Sequence, residues 1–267
     1  MDPFQQFASW DEQTALGWAT GLDKRAATAI QAALRADAVA AAQLAPGDVV
    51  VEVGCGTGPM LGDLADAVGP TGLVLGLEPQ RTLARVAAQR LGSRAALGLA
   101  SGTALPVRDG VAAAALASTV LLHVPAAEQV AMLVEMARVV RPGGRVLSVD
   151  QDMEGWVIDH PDRETTRRLL RFNVENRYGD GWTGRRLPTL FRAAGLRDIS
   201  VQALTHVDTS PGTHLHGNAQ RMAAAAAEAG FLTPAEADAW SAGLDQDGHF
   251  FSALTYFRCA ATVWTHV

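Results

Sequence analysis

The sequence predicts an α/β fold in which a parallel sheet carries helices on both faces. Short apolar runs alternate with amphipathic stretches of about 10–15 residues, the pattern of right-handed βαβ units. The first apolar run, VVVEV at 49–53, delivers directly into the glycines of GCGTGP, as strands do at the ligand-binding edge of such sheets. With 267 residues, 48% of them hydrophobic and 19% charged, the chain can bury the core of one large domain, or of a core domain with additions.

The elements follow in order. Over 11–44, Ala, Leu and Ile recur at helical spacing, and Pro46-Gly47 stops the run. DVVVEV at 48–53 is a strand buried on both faces. A helix spans 59–68 until Gly69-Pro70, and 72–78 (GLVLGLE) is a second strand followed by a helix over 80–91. LGLAS at 97–101 is a third strand. VAAAALAST at 111–119 has poor strand propensity, but the alternation of its neighbours makes it the fourth. A helix over 125–140 ends at the turn Arg141-Pro142-Gly143-Gly144, and RVLSVDQD at 145–152 is the fifth strand. From 153 to 184 charge and aromatics rise, which marks an inserted helical segment. A helix at 185–194, a strand near 197–207, a helical stretch over 217–244 and a strand near 251–264 complete the chain.

The net charge of −6 argues against a nucleic-acid partner, because phosphate contacts dominate that binding. The two cysteines, Cys55 and Cys259, make neither a disulfide framework nor a zinc site. MDPFQQFASWDEQ has neither the basic nor the apolar region of a signal peptide, and no apolar run approaches a membrane span. The expectation is a soluble, cytoplasmic protein with no membrane partner. His214 and His216 in THLHG have the look of a metal pair, but no third ligand stands nearby, so no metal is expected.

Gly54, Gly56 and Gly58 let the backbone turn tightly and approach a ligand at a helix N-terminus. A dinucleotide fingerprint would place its third glycine at 59, where Pro59 stands, and no Gly-Lys-Ser/Thr follows, which excludes a P-loop. Glu78 ends the second strand about 20 residues on, where a carboxylate can accept bonds from both ribose hydroxyls.

Four stretches in order, EVGCGTG at 52–58, LGLEP at 75–79, SGTALPVRDG at 101–110 and VRPGGRVLSVD at 140–150, resemble class I S-adenosylmethionine-dependent methyltransferases. Within that group the resemblance is to the small-molecule branch related to the ubiquinone and menaquinone biosynthesis enzymes, and it covers about 46–207. It implies a Rossmann-like three-layer sandwich with a seven-stranded, mostly parallel sheet whose last strand is antiparallel. It also implies a helical lid at 1–45, a cofactor-binding core at 46–152, an inserted lid at 153–184 and a C-terminal part of the sheet with a helical insertion at 185–267.

The resemblance places Gly54, Gly56 and Gly58 along the methionine end of S-adenosylmethionine, whose product is S-adenosylhomocysteine. Glu52 orients the amino group, which explains an acid in an apolar strand. Glu78 holds the ribose and Pro79 packs near the adenine. Where the family usually has an acid for the adenine amino group, Ser101 offers a hydroxyl, with Gly102 and Thr103 supplying backbone contacts. Ser118, ending the fourth strand with Thr119, lies near the methionine portion. For proton removal the candidates are His123, on the substrate rim, and Asp150 and Asp152, which end the fifth strand. Trp18, Trp156, Tyr178 and Trp182 fall in the lid segments and could form aromatic walls for a substrate. The expected partner is a small molecule, and a homodimer is a compatible assembly. Two rivals stand beside methyl transfer: a protein that keeps S-adenosylmethionine as a structural, cyclase-like or regulatory element, and a nicotinamide-dependent oxidoreductase, against which Pro59 speaks.

Overall fold

The computed structural model describes residues 9–245 and 247–264. The chain runs α1 (Glu12–Ala26), α2 (Ala29–Ala42), β1 (Val49–Val53), α3 (Pro59–Val68), β2 (Leu73–Leu77), α4 (Arg81–Leu91), β3 (Ala96–Gly98), β4 (Ala112–Ser118), α5 (Gln129–Val139) and β5 (Val140–Gln151). It continues with β6 (Val157–Ile158), α6 (Arg163–Asn176), α7 (Thr183–Ala193), β7 (Arg197–Asp208), α8 (His214–Glu228), α9 (Pro234–Ala242) and β8 (Ser252–Thr262).

The sheet runs in the order β3-β2-β1-β4-β5-β8, with β7 on the far side of β8. The pairs from β3 to β5 are parallel, and β8 runs antiparallel to β5 and β7. The sheet has eight strands rather than seven. The extra one, β6, is two residues that rejoin β8 at Ser252 and Ala253, further along the edge that β5 follows.

Alternate residues of the central strands point to opposite faces. Val50 packs with Leu34 and Ala38 of α2 and with Leu61 and Leu64 of α3. Val51 and Val53 pack with Met132, Leu133 and Met136 of α5 and with Leu187 and Phe191 of α7. These two cores make the three layers. The alanine run of β4 becomes a strand because it lies between β1 and β5, where small side chains let both helical layers sit close. Position in the sheet overrides its weak propensity.

Several sequence expectations shift at their boundaries. The helical run 11–44 is two helices, because Thr28 takes an extended conformation and its hydroxyl donates to the Arg25 carbonyl at 2.8 Å, closing α1. The stretch 217–244 divides likewise into α8 and α9, the second opened by a capping box between Thr233 and Glu236. The Arg141–Gly144 turn is a bulge within β5, where the register against β4 jumps from Ala112/Val140 to Ala114/Arg145.

Candidate active site

A cavity of about 570 Å³ opens at the carboxyl ends of β1, β2 and β4. Its walls include Glu52, Gly54, Gly56, Glu78, Pro79, Ser101, Gly102, Thr103, Ser118 and His123, all of them picked out in the sequence. The α1–α2 corner closes one side with Leu22, Arg25, Ala26, Gln31 and Arg35. The approach to α5 closes another with Val124, Pro125, Glu128 and Met132.

The glycine turn is built for close approach. Gly54, Gly56 and Gly58 all have positive φ. A Cβ on Gly54 would sit 2.6 Å from Val120 Cγ2, so only glycine fits. Gly58 does not line the cavity; its backbone packs against Ala87 and Leu91 of α4, and its role is the turn itself. Glu78 holds this turn from the next strand. One carboxylate oxygen accepts from Gly56 N–H and the other from Gln80 N–H, both at 2.9 Å. Burial pushes its pKa up, and those two backbone donors pull against that.

Glu52 lies below the turn, 4% exposed. Its Oε2 is buried without a hydrogen-bond partner. Burial, reinforced by the charges of Glu78 and Asp63 and opposed by Arg35, raises its pKa to about 8. A buried carboxyl with an unused acceptor costs stability in isolation and suits a cationic ligand group. An ammonium fits that oxygen, so the residues present are compatible with the amino end of S-adenosylmethionine.

On the opposite wall, Ser101 Oγ and Thr103 Oγ1 are 3.0 Å apart and bond to each other. Gly102 lies against Met132, where a Cβ would come within 2.8 Å of the sulfur. α1 is fastened to the glycine turn by Asp23, which accepts from Thr57 Oγ1 and from Arg90 Nη2, each at 2.6 Å. Burial alone would raise the Asp23 pKa, but those two donors hold it below the usual range.

Other candidates lie elsewhere. Asp150 is fully buried and does not line the cavity. It accepts from Ser148 Oγ at 2.8 Å and from Leu122 N–H at 3.3 Å, and so holds the turn that presents His123. Burial raises its pKa to about 7. Asp152 is also off the wall, engaged by Arg185 through Nε at 2.6 Å and Nη2 at 2.9 Å. Neither acid is placed to touch an acceptor in this cavity, because backbone and arginine donors draw both away from it.

Of the aromatics, Trp156 is a core residue whose Nε1 donates to Ser252 Oγ at 2.7 Å. Trp18 stacks on Trp10 at 5.2 Å, outside the wall. Tyr178 and Trp182 line a second groove beside α6, and Trp182, 45% exposed, lies over Arg185. Tyr178 also reaches His123, with ring centroids 5.8 Å apart. Among the described residues no group of three His, Cys, Asp or Glu is placed to hold a metal. Sequence reasoning missed Leu22, Arg25 and Gln31. All three lie within the helical run that reads only as amphipathic, and nothing in its spacing marks them.

Parallel strands that end on such a turn define an α/β protein of the nucleoside-binding class. A methyltransferase-domain family matches residues 50–144. An uncharacterised 37.1 kDa protein in a transposon of Streptomyces fradiae is 32% identical over 244 residues, covering 90% of this chain and 70% of that protein. A demethylmenaquinone methyltransferase of Bacillus licheniformis is 36% identical over 106 residues, covering 39% of this chain and 45% of that protein. The crystal structure of YcgJ from Bacillus subtilis shares the fold with a TM-score of 0.60 at 13% identity, covering 87% of this chain and 98% of that one. The chain belongs to the class I S-adenosylmethionine-dependent methyltransferases and resembles their quinone-methylating members.

Proposed function

We propose that this protein transfers a methyl group from S-adenosylmethionine to a carbon, nitrogen or oxygen atom of a small-molecule acceptor in secondary or quinone-like metabolism. The observation that carries the reading is the buried, unpartnered oxygen of Glu52 beneath the Gly54–Gly56 turn, with Glu78 on the neighbouring strand in the same cavity. The name of the Bacillus licheniformis relative supports the quinone-like acceptor, on a match that covers 39% of this chain.

The bound cofactor supplies an electrophilic sulfonium methyl. The chain's residues hold and orient. Glu52 takes the ammonium, Glu78 the ribose hydroxyls and Ser101–Thr103 the adenine edge. Ser118 and the glycine turn flank the methionine portion. The α1–α2 corner keeps water from the reacting atoms. His123, on the wall beside Tyr178, orients the acceptor or takes its proton.

Calorimetric titration with S-adenosylhomocysteine and, separately, NAD tests the cofactor. Binding of the first and none of the second is expected, and the reverse would sink the reading. Glu78→Ala should weaken S-adenosylhomocysteine binding by roughly 1–3 kcal/mol, the scale of lost bonds to a charged group. Unchanged affinity in the folded variant removes the ribose assignment. Once an acceptor is found, His123→Ala should lose turnover at near-normal cofactor affinity, and full activity would take His123 out of the chemistry.

A further inference from the structure

Two arginines on α6 and α8 stand together without an acid. Arg168 of α6 donates to the Phe231 carbonyl, just beyond α8, at 3.4 Å, and Phe172 packs on Phe231 with ring centroids 5.1 Å apart. From that contact the two helices run in opposite directions. About nine residues along each, roughly 14 Å at the helical rise, Arg177 at the end of α6 comes level with Arg221 of α8. A neutral amide of its own helix holds each guanidinium. Arg177 Nη1 donates to Asn173 Oδ1 at 3.0 Å, and Arg221 Nη2 donates to Asn218 Oδ1. Arg221 is open to solvent, yet the protein around it, and then the charge of Arg177, lower its pKa. The acids of these segments are committed elsewhere: Glu175 to Arg171 at 2.9 Å, Asp180 to Arg186, and Asp208 to His206 at 3.0 Å. None of them pairs with Arg177 or Arg221.

The pair lies toward the mouth of the cavity. Tyr178 follows Arg177, and its ring lies 5.8 Å from that of His123 on the cavity wall. His214 of α8 is within electrostatic reach of Arg221 and of Arg25 on the α1–α2 wall; burial above all keeps it neutral, with a pKa of about 4, so it adds no third charge. In a chain of net charge −6, two like charges side by side are a local exception, and an anion between them turns repulsion into attraction. Guanidinium groups held in place by neutral anchors are preorganised to donate in pairs to an oxyanion. A carboxylate brings one negative charge and leaves one arginine uncompensated, whereas a phosphate brings about 1.5 to 2 at pH 7. We propose that Arg177 and Arg221 bind a phosphate group carried by the methyl acceptor, whose body reaches past Tyr178 toward His123. The inference rests on the methyl-transfer reading and narrows its acceptor to a phosphorylated small molecule.

The test titrates inorganic phosphate, phenyl phosphate and benzoate into the free protein and into its S-adenosylhomocysteine complex. Wild type is compared with Arg177→Gln, Arg221→Gln and Arg167→Gln. Arg167, on the same helix, is 73% exposed and pairs with Glu164, so its loss controls for the general charge of α6. Phenyl phosphate should bind tightest of the three probes. Arg177→Gln and Arg221→Gln should each weaken it roughly 10-fold, and Arg167→Gln should leave it within about twofold. S-Adenosylhomocysteine bound within about twofold of wild type shows that the variants are folded. Equal losses in all three variants, or no saturable binding of phenyl phosphate, overturn the site. Inorganic phosphate binding as tightly as phenyl phosphate overturns the acceptor assignment in favour of a free anion. Benzoate binding as tightly overturns the choice of phosphate. A wild type that ignores S-adenosylhomocysteine yet keeps arginine-dependent binding of phenyl phosphate sinks the methyl-transfer reading and leaves the pair an anion site with no methyl acceptor.

Discussion

Glu52 stands in β1 between two valines of the core, and its neighbours set its charge state. Without a ligand its carboxyl keeps its proton up to about pH 8, against an ordinary value of 4.5. The unfolded chain gives that proton up near 4.5, so this group's stabilising contribution is fully present below that pH and is lost as pH rises through about 8. Glu52→Gln should flatten that decline, leaving those of the other raised acids, Asp150 between its ordinary 3.8 and about 7 and Glu78 above its ordinary 4.5. Urea unfolding at several pH values measures the difference, and an unchanged slope would show that Glu52 is ionised in the free protein. An ammonium facing the carboxyl favours its charged form. Binding of S-adenosylhomocysteine near pH 7 should therefore release roughly one proton. Calorimetry in buffers of different ionisation enthalpy reads that release. 5′-Methylthioadenosine, which lacks the ammonium of the amino-acid end, should release none.

At the scale of elements, α1 is weakly committed to the core and lines the cavity through Leu22 and Arg25. Its buried residues are two alanines, Ala15 and Ala19. Its hold on the glycine turn is the Asp23 bridge to Thr57 and Arg90. Asp23 and Arg90 are each 37% exposed in their side chains, so the bridge adds little to global stability. Asp23→Ala should cost at most about 1 kcal/mol in unfolding. It should nevertheless raise amide exchange across Glu12–Ala26 and lower cofactor affinity, because Leu22 and Arg25 then leave the wall. Exchange equal to wild type would mean that the Asp23 bridge does not hold α1 in place. Elements were also where the sequence read least sharply. The α1–α2 break depends on one backbone angle at Thr28, and the β5 bulge looks like a turn because its Pro-Gly-Gly is turn chemistry put to use inside a strand.

For the molecule as a whole, alternation and the glycine turn were enough to foresee a layered sheet, since both signals are local, and the family resemblance was needed to single out Glu52, which lines the cavity with Glu78. What stayed hidden is non-local. Asp150 ends its strand as a ligand-edge acid should, yet Ser148 and the Leu122 N–H draw it inward. Trp156 lies in a lid-like stretch but finds a hydrogen bond to Ser252 across the sheet, 96 residues away. The cavity itself joins the α1–α2 corner, the β1–β4 edge and the approach to α5, so one ligand bridges parts that the chain contributes separately. A ligand bound at 100 times its Kd adds about 2.7 kcal/mol to stability. At about 2–4 °C per kcal/mol for a chain near this size, S-adenosylhomocysteine should raise Tm by roughly 5–10 °C. NAD should leave it unchanged. If the cavity ties these parts together, the melt is a single transition that moves as one, by calorimetry and by far-UV circular dichroism alike. A melt in which an early step stays fixed while a later one shifts would instead show that α1 and α2 unfold before the site and do not close it.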